Sequence, residues 1–252
     1  MSLLSARGIS KSFGGIDALR QLDLDVAAGE AVGIAGPNGA GKTTLFNCLL
    51  GLTEPDAGSV ELDGRRIDRL PTWRRSRLGI GRTFQRLALF DGMTVAEHLL
   101  VAEQARRGGI PFLRDLVERS EPRVEELERV DATLALLGLT ELADRPVEGL
   151  SLGHARLVEL GRAMMGEPRL LMLDEPSSGL DAAETTRLGV ILSELRHRSG
   201  TAVVLVEHDL QLVEAVVERL YVLDFGQLLA VGAVRDVLDD ERVRRAYLGG
   251  GQ

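Results

Sequence analysis

Eight consecutive residues carry the clearest chemistry in this 252-residue chain: Gly36, Pro37, Asn38, Gly39, Ala40, Gly41, Lys42 and Thr43. They match the pattern G-x-x-x-x-G-K-[ST], whose glycines let successive backbone N–H groups turn inward around phosphate oxygens. Lys42 is set to reach the outer phosphates, the Thr43 hydroxyl to hold Mg2+, and Thr44 to open the next helix beside them. Only Lys11 and Lys42 are lysines among the 30 basic residues. A compact ammonium fits such a nest as a point charge, whereas the planar guanidinium favoured elsewhere in this chain does not. The ligand this implies is a nucleoside triphosphate.

A second constellation is hydrolytic. The apolar run Leu170-Leu171-Met172-Leu173 ends in Asp174-Glu175-Pro176, placing two carboxylates at the C-terminal edge of a strand, where open α/β sheets bind ligands. Asp174 is expected to hold Mg2+ through water opposite Thr43, and Glu175 to orient or deprotonate the water that attacks the γ-phosphate. The plainer alternative is an acidic cap on the next helix. His208 follows the run ending at Val206 and can bond a γ-phosphate oxygen or the attacking water. Gln85, in Arg82-Thr83-Phe84-Gln85, carries an amide that can meet the metal or the water. Neither residue is informative alone.

These groups need a scaffold, and the chain reads as one. Ala31–Ala35 is a buried strand before the phosphate loop, and residues 44–50 form a helix stopped at Gly51. The continuous apolar runs 170–173 and 201–206 suit parallel strands buried on both faces. Leu188, Ile191, Leu192 and Leu195 mark a helix between them, and residues 221–229 a final hairpin. The first thirty residues alternate like strands with a turn at Phe13-Gly14-Gly15, and 58–65 enters an Asp-Gly turn. From Val95 to about Leu142 the pattern is helical and charged, broken near 108–111. The expected fold class is α/β, a mostly parallel sheet with surrounding helices.

Bulk properties are compatible with this. The chain is 44% apolar with a net charge of −8, which argues against a nucleic-acid duplex as main partner. No apolar stretch approaches the roughly 18 residues of a membrane span, and no signal-peptide pattern opens the chain. The single Cys48 suits packing and a reducing compartment. Basic clusters such as Arg74-Arg75-Ser76-Arg77 read as solvated helix faces or as contacts to anionic lipid.

In order, these pieces resemble the nucleotide-binding subunit of an ATP-binding cassette (ABC) transporter. The likeness runs through Phe13 as the aromatic stacked on adenine, residues 36–43 as the phosphate loop, Gln85 as the Q-loop glutamine and Leu150-Ser151-Leu152-Gly153-His154 as the signature. It continues through Asp174-Glu175 as Walker B, Ser178-Gly179-Leu180-Asp181 as the D-loop and His208 as the switch histidine. The resemblance implies a RecA-like P-loop NTPase core (about 1–86 and 166–252) with an N-terminal antiparallel β subdomain and an inserted helical subdomain (about 87–165). It implies ATP and Mg2+ as cofactors, and a head-to-tail dimer in which Ser151, Gly153, His154 and Asp181 of one copy face the ATP of the other. A helix start bearing Ser and a close-approach Gly is an anion site, though a routinely capped helix explains the same segment, and Asp181 also reads as a helix cap before Glu184. Leu152 and His154 depart from the usual Gly and Gln.

Further segments, notably 82–85 with 89–95, 206–209 and 245–249, resemble the LivG-like ATPases of branched-chain amino acid importers, with the lipopolysaccharide-export ATPases close by. Partners implied are a second ATPase subunit, integral membrane permeases and, indirectly, a solute-binding protein, with no nucleic acid, at the cytoplasmic face of the inner membrane. Leu87, Leu89, Phe90 and Met93 are expected to grip the permease; the alternative is that they are core. A soluble repair or ribosome ATPase lacks support, since there are no sustained heptads and only one phosphate loop. A P-loop kinase leaves the signature unexplained.

Overall fold

The computed structural model describes residues 2–83, 88–107 and 122–248. Along the chain run β1 (Ser2–Phe13), β2 (Ile16–Ala27), β3 (Ala31–Ala35), α1 (Lys42–Leu50), β4 (Ala57–Leu62), β5 (Arg65–Arg66), α2 (Thr72–Arg77) and β6 (Ile80–Arg82). Then come α3 (Val95–Arg107), α4 (Val124–Leu137), α5 (Leu152–Met165), β7 (Leu170–Asp174), α6 (Ala182–Ser199) and β8 (Ala202–Val206). The chain closes with α7 (Leu210–Val216), β9 (Arg219–Asp224), β10 (Gln227–Ala233), α8 (Val234–Asp239) and α9 (Glu241–Leu248).

The strands form two sheets. The antiparallel one has the order β2-β1-β4-β5, and the other the order β10-β9-β3-β8-β7-β6. Within the second, β9, β3, β8, β7 and β6 are parallel, and β10 adds an antiparallel edge. The period-2 pleat sorts its buried strands between two cores. Leu170 and Met172 of β7 and Val204 and Val206 of β8 face the first sheet and α1, while Leu171, Leu173, Val203 and Leu205 face the helices. Both faces are covered, so these strands are uniformly apolar. No helix among the described residues is long and apolar enough to cross a membrane.

Register decides what the sheet presents. Ile34 of β3 and Asp174 of β7 both sit opposite Val206 of β8. Whatever follows these three strands therefore emerges along one C-terminal edge. On α5, Leu157, Leu160, Gly161 and Met165 are buried, and Met164 is partly buried against the same cluster. That cluster also buries Leu137 and Val130 of α4.

Candidate nucleotide site

The phosphate loop leaves the end of β3 and feeds α1. Its first residue, Gly36, has φ 145°, and a Cβ there would lie 2.3 Å from the Leu223 carbonyl oxygen. No side chain fits, because backbone is what stands in the way. The Gly226 amide donates to Ala40 O at 3.1 Å, so the β9–β10 turn braces the loop. Gly41 caps α1 without any side-chain cap, which leaves the helix's first N–H groups and its positive end for an anion. Lys42 Nζ donates to Gly36 O at 2.7 Å and Pro37 O at 3.0 Å, curled over the loop. Asn38, Gly39 and Thr43 are exposed; Pro37 and Thr44 are partly buried. Cys48, on the same helix, is buried, and its thiol is pushed up to about 11 by that burial. That agrees with packing rather than chemistry.

Asp174 and Glu175 lie across the edge from the loop. Burial raises the Asp174 carboxyl, Glu175 and Glu207 raise it further, and Lys42 opposes them. Burial likewise lowers Lys42, against the pull of Glu175 and Asp174. For both partners, removal from water outweighs their mutual attraction. Glu175 has φ 47°, a left-handed conformation that costs a residue with a side chain about 1 kcal/mol or more. Its amide is nonetheless held by Val206 O at 2.8 Å, so the sheet pins the strained residue where its carboxylate leaves the strand. His208 Nδ1 stands 3.9 Å from Glu175 Oε1, beyond a hydrogen bond.

Spacing alone missed the residue that ties this edge together. Glu207 is buried, and its carboxylate accepts from Ser177 N at 2.9 Å and Ser177 Oγ at 2.5 Å. It also accepts from His208 N at 2.8 Å and Asp209 N at 3.2 Å. One carboxylate thus fastens the loop after Glu175 to the loop carrying His208. A buried-strand run followed by an acid was the only signal for it. Tyr247 was missed in a similar way: on α9, its hydroxyl lies against the Gly36 backbone, which opposes the rise that burial causes in its pKa.

The signature segment starts α5. Ser151 Oγ accepts from His154 N and lies 3.2 Å from His154 Nδ1, so the hydroxyl is a helix cap as well as an exposed donor. Gly153 is a true close approach: a Cβ there would meet Glu184 Oε1 at 2.1 Å. Glu184 is itself engaged in a capping box with Asp181 at the start of α6. The departures from the usual pattern are accommodated, since Leu152 lies over Gly179 and His154 reaches back to Ser151. Phe13 ends β1 half exposed, with Lys11 Nζ 5.4 Å from its ring centre. Gln85 and Leu87 lie outside the described residues.

A cavity of about 860 Å3 lies away from this edge. It runs between α2, β6, α3 and α5, lined by Trp73, Phe90, Val101, Ala105, Arg106 and Arg162 among others. Of the residues expected to share a gripping role, the three described ones, Leu89, Phe90 and Met93, separate. Phe90 is exposed in the cavity, with Arg162 over its ring and its amide donating to His98 Nε2 at 2.8 Å. Leu89 packs onto the helical core instead, and Met93 does not line the cavity. Leu89 and Phe90 lie in irregular backbone just before the turn at Asp91-Gly92, and their side chains reach different surroundings.

Chemically, the edge offers a backbone anion nest, one ammonium, two carboxylates and an imidazole. No group of three or more metal-ligating side chains occurs among the described residues. One buried carboxylate and a hydroxyl suit Mg2+ completed by phosphate and water, since Mg2+ seldom has an all-protein cage.

Comparison with known proteins agrees with this chemistry. The ABC transporter family profile matches residues 19–178. The high-affinity branched-chain amino acid transport ATP-binding protein LivG of Salmonella typhimurium is 40% identical over 249 residues, covering 98% of each chain. The ADP conformation of MJ1267, an ATP-binding cassette of an ABC transporter, is similar with a TM-score of 0.87, 32% identity and 99% of both chains covered. The dimeric MJ0796, a bacterial ABC transporter cassette, has a TM-score of 0.78 at 25% identity, covering 92% of this chain and 99% of that one. The chain therefore belongs to the ABC transporter family, as a nucleotide-binding, ATP-hydrolysing subunit with that family's P-loop α/β fold.

Proposed function

We infer that this ATPase powers a small-solute importer, with branched-chain amino acids as the solute class, from the peripheral, cytoplasmic side of a membrane. One observation carries the mechanism: strand register gathers Lys42, Asp174, Glu175 and His208 at a single sheet edge. The phosphate loop and Lys42 hold the β- and γ-phosphates. Asp174 and Thr43 would hold Mg2+, with Gln85 as a further contact, and the ion would spread the charge of the phosphates. Glu175 accepts a proton from water as its oxygen bonds to the γ-phosphorus and the bond to the β-phosphate oxygen breaks, yielding ADP and phosphate. His208 donates to a γ-phosphate oxygen, and Phe13 packs on the base.

Ser151 is exposed, which supports a second subunit presenting this helix start, with Gly153, His154 and Asp181, to the γ-phosphate. The dimeric state of MJ0796 supports pairing of two such chains. Residues of about 87–165 then act as a helical unit beside a core of about 1–86 and 166–252, and a permease segment sits in the cavity at Phe90. The solute class rests on the LivG likeness, because the solute does not meet this chain. Glu175→Gln tests the core of the reading. Losing a general base lowers turnover about 10²–10⁴-fold, while ATP still binds and an ATP-held dimer accumulates in size-exclusion chromatography. Unchanged turnover would refute the assignment.

A further inference from the structure

One surface is left unused by the ATPase reading. Between Arg65 and Arg77 the chain holds six arginines and a single acid, Asp68, although its net charge is −8. Arg75 is the structural member of the set. It is buried and donates to Cys48 O, Leu49 O, Asp68 O and Leu70 O, fastening α2 to the carbonyl end of α1. Asp68 is spent on Arg66 at 3.1 Å. Arg65, Arg69, Arg74 and Arg77 are exposed, and no carboxylate among the described residues pairs with them.

Three of these four converge. Arg65, Arg74 and Arg77 line an open groove of about 360 Å3 together with Trp73, Leu70 and Leu78. Trp73 is 54% exposed, with the guanidinium carbons of Arg74 and Arg77 5.0 and 5.2 Å from its ring centre. Guanidiniums favour phosphate oxygens through paired N–H donors. An exposed indole among them, over an apolar floor, has the composition of a surface that settles at the headgroup level of a bilayer. The acidity of the rest of the chain repels an anionic surface, so it orients this face rather than competing with it.

We propose that the groove formed by Arg65, Trp73, Arg74 and Arg77 binds anionic phospholipid headgroups at the membrane surface. The contact deepens the peripheral placement inferred above and holds α2, one wall of the Phe90 cavity, against the bilayer. It rests on that placement for its biological meaning but not for its test.

Trp73 is the chain's single tryptophan, so all indole fluorescence comes from this groove and the cavity wall that the same ring shares. Purified full-length chain is titrated with phosphatidylcholine vesicles, with vesicles also containing phosphatidylglycerol, and with inorganic phosphate at matched phosphate concentration. The expected result is a blue shift with the anionic vesicles alone, weakened by salt. An arginine near such a surface is worth roughly fivefold in partitioning, so combining Arg74→Ala and Arg77→Ala lowers vesicle binding about 25-fold. Equal shifts on neutral vesicles, saturation by inorganic phosphate, or wild-type binding by the double variant would each overturn the proposal. ATP hydrolysis measured on the same samples stays at the wild-type rate. Its loss in wild type would count against the ATPase reading, and unaltered hydrolysis without vesicle binding against the lipid contact alone.

Discussion

Replacing Glu207 separates positioning from chemistry at this site. Its carboxylate accepts four hydrogen bonds, two from Ser177 and two from the His208 and Asp209 amides. In Glu207→Gln one oxygen becomes an NH2 group that cannot accept. Turning the amide oxygen toward His208 and Asp209 leaves the NH2 group facing Ser177, where Oγ can rotate to accept but the backbone N–H is stranded. Hydrogen bonds to charged groups are worth about 1.5–3 kcal/mol each, so the Gln variant loses about 3 kcal/mol. Glu207→Ala removes both acceptor oxygens, and with them all four hydrogen bonds, and buries the Ser177 donors unpaired, for about 5 kcal/mol. Urea unfolding monitored by circular dichroism reads these values. The functional readout is a split: nucleotide affinity holds, because Lys42 and the loop are untouched, while kcat falls about tenfold or more as Glu175 and His208 lose their common anchor. A Gln variant with wild-type stability and kcat would refute the anchoring role. A proportional loss of nucleotide affinity would show that the edge fails as a whole.

Three further perturbations follow from the geometry. Gly153→Ala drives a Cβ into Glu184, and breaking that capping box costs about 1 kcal/mol; Glu184→Ala should absorb most of this in a double-mutant cycle, and strict additivity would contradict the contact. Asp174 titrates above the usual carboxylate range, so its contribution to stability is full below the unfolded value of about 3.9 and is lost as pH rises through the raised folded value. Asp174→Asn should therefore raise the urea midpoint at neutral pH, measured without nucleotide, while abolishing Mg2+-dependent hydrolysis; a lowered midpoint would reverse the sign. Phe90→Asp should cut transport in reconstituted assemblies at least tenfold with soluble ATPase activity retained, whereas Leu89→Asp, charging a core-packed side chain, should destabilise the fold by about 3 kcal/mol or more. Equal behaviour of the two would erase the distinction drawn between them.

Local chemistry made much of this protein legible in one dimension. A phosphate nest needs consecutive residues, so Gly36 to Thr43 announce it by themselves. A buried parallel strand ending in acids announces Asp174 and Glu175, because continuous apolar runs have few other uses. The hairpin at Asp63-Gly64 and the capped starts of α5 and α6 are equally local. What tertiary structure decided lies between segments far apart in sequence. Register across β3, β8 and β7 set which strand ends meet, and no single segment encodes its own neighbours. Glu207 reaching Ser177, Gly153 packing on Glu184, Tyr247 touching Gly36 and Arg75 closing α1 all join positions that composition treats as unrelated. Leu89 and Phe90 show the limit most simply: two adjacent apolar residues have the same hydropathy signature, and only the packed chain determines which one is core and which one faces a cavity.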